Sequence, residues 1–408
     1  MSKKKEIVPK FRFPEFQRDG IDFVHGNKLF KSITNKNHNS DLPILAITQD
    51  QGAVPRDQIE YNVTVTDKSL SNYKVVEVGD FIISLRSFQG GIEYSRFKGI
   101  CSPAYIILRK REENISELYY KYFFKTWRYI QSLNRNLEGI RDGKMISYSQ
   151  FSSVKVPYPR SFKEQQKIAD CLSSIDELID AESRKLKALE KYKKGLMQKL
   201  FPAEGKTLPE WRFPEFQGCG EWKSKSIGKA CKMFSGGTPD TSKKEFYGGT
   251  IPFIRSAEIN KSSTELFITE EGFKNSSAKM VKKGDILIAL YGANSGEVAL
   301  SKIDGAINQA ILCLRHETNN VFVYHYFTHM KNWIISKYIQ GGQGNLSGQI
   351  IKSVNLYFPK AEEQQKIADF LSEIDTMITG QSNKVEQLKA HKKGLMQGLF
   401  PSFEEADV

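Results

Sequence analysis

EQQKIAD at residues 164–170 returns as EQQKIAD at 363–369, and KKGLMQ at 193–198 returns at 392–397. Each copy closes with LFP, at 200–202 and 399–401, so the offset is 199 residues throughout. Ile168, Leu172, Ile175, Ile179, Leu186, Leu189, Leu196 and Leu200 advance by 4-3-4-7-3-7-4, and Ile367, Leu371, Ile374, Ile378, Val385, Leu388, Leu395 and Leu399 advance identically. That is a heptad seam, the period at which helices wind around each other. At 1.5 Å rise per residue each helix would be about 50 Å long. Such a stripe needs a partner, and the nearest is its own copy. The spacing therefore predicts two long helices packed antiparallel as a coiled-coil strut. Glu182, Lys193, Gln381 and Lys392 stand at seam positions, where polar residues fix register at some cost in stability.

Outward from the helices the repeat continues. RFPEFQ at 12–17 returns at 212–217; VEVGDFIISL at 76–85 is matched by VKKGDILIAL at 281–290; SPA before YIIL (102–108) is matched by NQA before ILCL (308–314). MIS at 145–147 lies opposite NLS at 345–347, and VPYP at 156–159 opposite LYFP at 356–359. The offset rises from 200 to 206 and falls back to 199, so the second block gained residues early and lost them late. Short β-branched runs opened by Gly-Asp read as turns into buried strands. The aromatic stretches 119–134 and 321–339 read as core helices of the two blocks. The fold class is thus mixed α/β (α+β): two globular domains separated by two long antiparallel helices, pseudo-two-fold symmetric. The boundaries are 1–160, 161–202 (helix), 203–360, 361–401 (helix) and 402–408 (tail). Joined tail to head the halves would form a ring, so the termini should lie close together.

A chain of 408 residues is long enough for two or three cores. No apolar run reaches the length of a membrane span, and MSKKKEIVPK has no apolar core behind its basic start. Five scattered cysteines without a CxxC fit a reducing cytoplasm rather than a disulfide framework or zinc knuckle. The net charge of +13 is unevenly placed: +9 on 1–162 and +6 on 203–361, against +2 on 163–202 and −1 on 362–401. The basic excess lies on the variable blocks, as expected for a polyanion partner.

No catalytic constellation stands out. There is no Asn- or Asp-Pro-Pro-aromatic motif, no GxGxxG opening a βαβ unit and no HExxH. Gly205-Lys206-Thr207 resembles the end of a phosphate loop, but position 200 is Leu rather than Gly. His325 and His329, at i, i+4, lack an evident third metal ligand and read as packing. The informative features are Gly-rich polar loops. Arg and Lys read guanine, Asn and Gln read adenine, and hydroxyls hold phosphates. On that basis the candidate DNA contacts of the second block are Thr238, Thr241, Ser242, Lys243, Lys244, Arg255, Tyr291, Asn294, Ser295, Gln343 and Asn345. Those of the first are Gln49, Arg56, Arg86, Ser87, Gln89, Arg96, Arg141 and Lys144.

EQQKIADxLSxID followed by KKGLMQxLFP, present twice, together with GTPxT…IPFIR and GDILIALYGANSG, resembles the specificity (S) subunit of type I restriction–modification enzymes over essentially the whole chain. The resemblance implies that each variable block is a target recognition domain reading one half of a split, asymmetric site in double-stranded DNA. It implies that the repeated helices dock two modification subunits and, through them, restriction subunits, with Gln165, Gln166, Ile168, Lys194, Gln364, Gln365, Ile367 and Lys393 as docking candidates. It places S-adenosylmethionine, ATP and Mg in the partner subunits, no cofactor or metal on this chain, and the complex in the cytoplasm, away from any membrane. The first block departs from the second, with RSFQGG where YGANSG stands and SPA where NQA stands. The competing reading from the residues is a coiled-coil adaptor whose domains bind protein or glycan; a free-standing enzyme would need a site that the motifs do not supply.

Overall fold

The computed structural model describes residues 8–39, 41–59, 70–135, 146–292, 294–338 and 346–401. By contact the chain divides into two compact units, residues 1–182 with 384–408 and residues 183–383. The division cuts both long helices, Phe162–Leu200 and Ala361–Leu399. Each unit thus owns one variable block, the start of one long helix and the end of the other.

Within the first unit the helix segments run antiparallel. Lys384 Nζ donates to Glu182 Oε1 and Lys392 Nζ to Asp176 Oδ1, both at 2.5 Å, so numbering falls on one helix as it rises on the other. Leu399 and Phe400 join Ile168 and Leu172 in the core of that unit. The second unit repeats this: Lys193 Nζ donates to Asp375 Oδ1 at 2.5 Å, and Met197, Leu200 and Phe201 pack with Ile367 and Leu371. Three of the polar seam residues therefore pair across the helices. Gln381 is buried.

Each block is built on a four-stranded antiparallel sheet. In the first unit the order is Phe30–Ile33, Ile106–Lys110, Phe81–Ile83, Glu93–Tyr94; in the second it is Cys231–Ser235, Ile311–His316, Ile286–Ala289, Val298–Leu300. The second unit joins Phe267–Ile268, Tyr247–Ile254, Gly305–Ile307 and Lys279–Val281 in one mixed sheet; the first holds the counterpart as two pairs, Lys74–Val76 with Gly99–Cys101 and Leu45–Thr48 with Gly52–Pro55, with a parallel bridge from Ile44 to Ile100. Against the sheets lie the aromatic helices, Glu117–Phe123 and Trp127–Arg135 in the first unit and the single helix Asn320–Tyr338 in the second.

The repeated motifs explain their own recurrence. Gly79 and Gly284 take left-handed backbone (φ 94° and 89°), which L side chains resist, and each turns the chain into an aspartate. Asp80 and Asp285, both buried, receive Arg109 and Arg315 from the neighbouring strand: Arg109 Nε and Nη2 donate to the two Asp80 oxygens at 2.7 Å, and Arg315 Nη2 donates to Asp285 Oδ2 at 2.7 Å. Each aspartate also accepts a turn amide, from Glu77 N at 2.8 Å and Lys282 N at 2.7 Å. RFPEF serves likewise. Arg12 Nε and Nη2 donate to the Glu164 carboxylate at 2.7 and 2.9 Å, and Arg212 to Glu363 at 2.7 Å twice. The two glutamates are 0% and 1% exposed, so these bidentate pairs are buried. Phe11 N donates to Gly398 O at 2.8 Å, as Trp211 N does to Lys199 O at 2.9 Å, which brings the N-terminal segment onto the end of the last helix in the first unit.

Candidate nucleic-acid interface

In the first unit the hairpin Leu45–Thr48/Gly52–Pro55 carries Gln49 exposed at its tip. The turn Ser87–Gly90 follows the central strand Phe81–Ile83. Gln49 Nε2 reaches Arg86 O at 3.5 Å, and a Cβ on Gly90 would lie 2.8 Å from the Gln49 side chain, so the two loops are in contact. Arg86, Gln89 and Arg96 are exposed, and Arg56 is half-buried. Ser87 is buried, its Oγ accepting from Ser84 N at 2.9 Å; it builds the turn and is withdrawn from any surface. A cleft of about 710 Å³ opens beneath, lined among others by Gln49, Glu93, Arg96, Lys121, Asp176 and Lys392. Burial, aided by Arg96, pushes the Lys121 amine down to about 8.

In the second unit Thr238 Oγ1 donates to Gln309 Oε1 at 2.7 Å, and Leu290 N donates to Ala310 O at 2.8 Å, so the loops of Thr238 and of exposed Tyr291 meet at one sheet end. Asn294 follows in a turn held by Gly292 and Gly296. Ser295 Oγ donates to Leu290 O at 3.0 Å and so is engaged in that turn. Thr241, Ser242, Lys243 and Lys244 are exposed, Ser242 N and Oγ donating to Asp240 Oδ1 at 3.0 and 2.8 Å and Lys243 lying 5.0 Å over the Phe246 ring. Arg255 is held inside its own loop by Glu258 and Glu265, with its Nη2 2.6 Å from Glu265 Oε2. That pairing draws the buried Glu258 carboxyl down to about 2. Arg141, Lys144, Gln343 and Asn345 fall outside the described residues.

The docking candidates divide in two. Gln166, Lys194, Gln365 and Lys393 are exposed, Gln365 accepting from Asn319 Nδ2 at 2.8 Å. Gln165, Ile168, Gln364 and Ile367 are buried in their own units, which corrects the expectation for those four. Gln165 accepts from Ser116 N and donates to Pro159 O, both at 2.9 Å, and Gln364 donates to Pro359 O at 2.9 Å. The two glutamines latch each long helix to the strand before it, and the two isoleucines pack in the cores of their units. His325 is buried, its Nε2 3.9 Å from Asp375, and burial pushes its ring down to about 3; His329 stacks on Phe201. Among the described residues no group of three or more His, Cys, Asp or Glu is placed to hold a metal. No helix among them is long and apolar enough to cross a membrane.

The residue reading missed Glu93, Lys121 and Lys125. The signal was there: Lys121 and Lys125 are i, i+4 within an aromatic run, a polar stripe on a helix otherwise read as core.

Both halves match one family, the type I restriction modification DNA specificity domain, over residues 19–191 and 220–390. The chain belongs to that family. It is 23% identical over 356 residues to the type I restriction enzyme MjaVIII specificity subunit of Methanocaldococcus jannaschii, covering 83% of this chain and 81% of that protein. It is 30% identical over 169 residues to the EcoR124I/EcoR124II specificity subunit of Escherichia coli, covering 39% and 42%. The fold is shared with the crystallised type I restriction–modification S subunit from M. genitalium, at TM-score 0.60 and 16% identity over 97% of this chain and 100% of that one. Its two specificity domains, and relatives that are themselves named specificity subunits, place this chain among the specificity subunits of type I systems.

Proposed function

We propose that this chain reads a split, asymmetric site in double-stranded DNA, one half through each unit, for a type I restriction–modification complex. The observation that carries this is the contrast inside the duplication. The Arg–Glu and Gly-Asp devices recur pairwise, while the loops offering Gln49, Arg86, Gln89 and Arg96 differ from those offering Thr238, Lys243, Tyr291 and Asn294. A duplicated frame with unlike polar loops on basic blocks suits two unlike sequences on one polyanion. Two modification subunits dock on the exposed faces of the long helices, near Gln166, Lys194, Gln365 and Lys393, and restriction subunits join through them. S-adenosylmethionine, ATP and Mg belong to those partners, and the complex works in the cytoplasm.

The test is to co-express the chain with its modification subunit and map methylated bases in the host DNA. A motif of two fixed half-sites around a spacer of fixed length and free sequence is expected. A single contiguous motif, or none above a control lacking this chain, would refute the reading. Binding to the mapped site should also weaken linearly in log K against log salt, because phosphate contacts release counterions.

A further inference from the structure

The first unit holds its two loops through one lysine. The aromatic helices of this unit break between Phe123 and Trp127, and Lys125 lies in the break. Its Nζ donates to Gln49 O at 3.1 Å, to Gly90 O at 2.9 Å and to Glu93 Oε1 at 2.5 Å. An ammonium has three protons, and each one ties a different element. Glu93 is 2% exposed, and burial pushes its carboxyl up while pushing the Lys125 amine down. The break can approach the turn because Gly91, at φ 81°, has no Cβ: one placed there would lie 2.2 Å from Phe124 O.

The second unit ties its helix to a loop differently: Lys331 Nζ donates to Glu297 Oε1 at 2.5 Å, a more exposed pair that joins only two elements. Ile82 pairs with Glu93 where the equivalent Leu287 pairs with Ala299. Thr328 stands one residue past Phe327, as Lys125 stands one past Phe124, and its hydroxyl donates to Tyr324 O within an unbroken helix.

We propose that Lys125, anchored by Glu93, is a positioning residue that sets the register of the Gln49 and Arg86–Gly90 loops against each other, and so controls base discrimination at one half-site only. This rests on the split-site reading above. Lys125 is not itself a base contact: three acceptors within the chain take its protons.

The experiment uses the full chain assembled with its modification subunits and a duplex library randomised in both half-sites. A variant with Gln49, Arg86 and Gln89 all changed to Ala identifies the half-site read by the first unit. Lys125→Met is then expected to lower discrimination by about tenfold or more per base at that half-site, the scale of a misplaced base contact. The other half-site should be unchanged, and so should the salt slope. Glu93→Gln, which keeps an acceptor and the volume, should give a smaller shift at the same half-site, and Lys125→Arg should partly rescue. Should Lys125→Met fail to assemble, Glu93→Gln carries the test. No change at either half-site, an equal fall at both, or a triple variant that alters neither half would overturn the clip. A wild-type complex with no split-site preference would instead overturn the proposed function.

Discussion

The two units share a frame and differ in how they hold what the frame displays. Both bury an arginine of RFPEF against a glutamate of EQQKIAD, and both seat a Gly-Asp turn under a strand arginine. Past that point they part. The first unit clips its loops from the helix side, through Lys125 and Glu93. The second has the more exposed Lys331–Glu297 tie on its helix side and steadies another loop from within, through Arg255 between Glu258 and Glu265. The identical parts include the buried pairs that hold each unit together, and the loops that differ meet solvent. Identity between copies thus marks two things: four of the eight helix residues expected to face a partner are buried, and the other four, Gln166, Lys194, Gln365 and Lys393, are exposed.

The largest test of the shared frame is to break it on each side in turn. Arg12→Ala and Arg212→Ala each leave a buried carboxylate unpaired, a loss of about 3–5 kcal/mol. The two variants should be equally destabilised in denaturant unfolding. A difference above about 1 kcal/mol would mean that the frames are not energetic equivalents. A smaller effect is expected from Lys193→Met and Lys392→Met, which remove the matched ion pairs to Asp375 and Asp176. Those pairs are partly exposed, so each is worth about 1 kcal/mol or less, again alike on the two sides.

Much of this arrangement was legible in the sequence, for particular reasons. The seam of Ile168 to Leu200 and its copy fixed the antiparallel helix pairs, because a heptad stripe has few other ways to be buried. The Gly-Asp turns were legible because Gly permits a backbone that Asp then caps. What sequence could not give was the fate of individual polar side chains. Arg255 and Ser87 look like surface readers by residue type, but one is held by two glutamates and the other caps a turn. Lys125 looked like a charge on an aromatic core helix; only the break at Phe124–Thr126, which packs closely on Gly91, turns it toward two loops. Periodicity reports which face is buried, not which acceptors a lysine will find.

The smallest effect distinguishes the units by pH. Lys121 faces the first unit's cleft, where burial and Arg96 lower its pKa to about 8, Lys392 adds to the lowering, and Asp176 and Asp180 oppose it. The position equivalent to Lys121 in the second unit is Tyr324, three residues before Phe327 as Lys121 is three before Phe124. Because the folded pKa lies below the ordinary lysine value of 10.5, the unfolded chain holds this proton more tightly. The charged amine thus costs stability below about 8, and the cost disappears as pH rises toward 10.5. DNA binding should run the other way. Raising the pH from about 7 to about 9 neutralises one cation in the cleft, which should weaken binding severalfold and reduce the log–log salt slope by roughly one. Lys121→Arg, charged throughout, should flatten that profile. Duplexes altered in one half-site at a time assign the effect: it should persist when only the second unit's half-site is scrambled and vanish when the first unit's is. A pH profile identical in Lys121→Arg and the parent would show that this cleft carries no DNA, and would return the first unit's reading surface to the exposed loops alone.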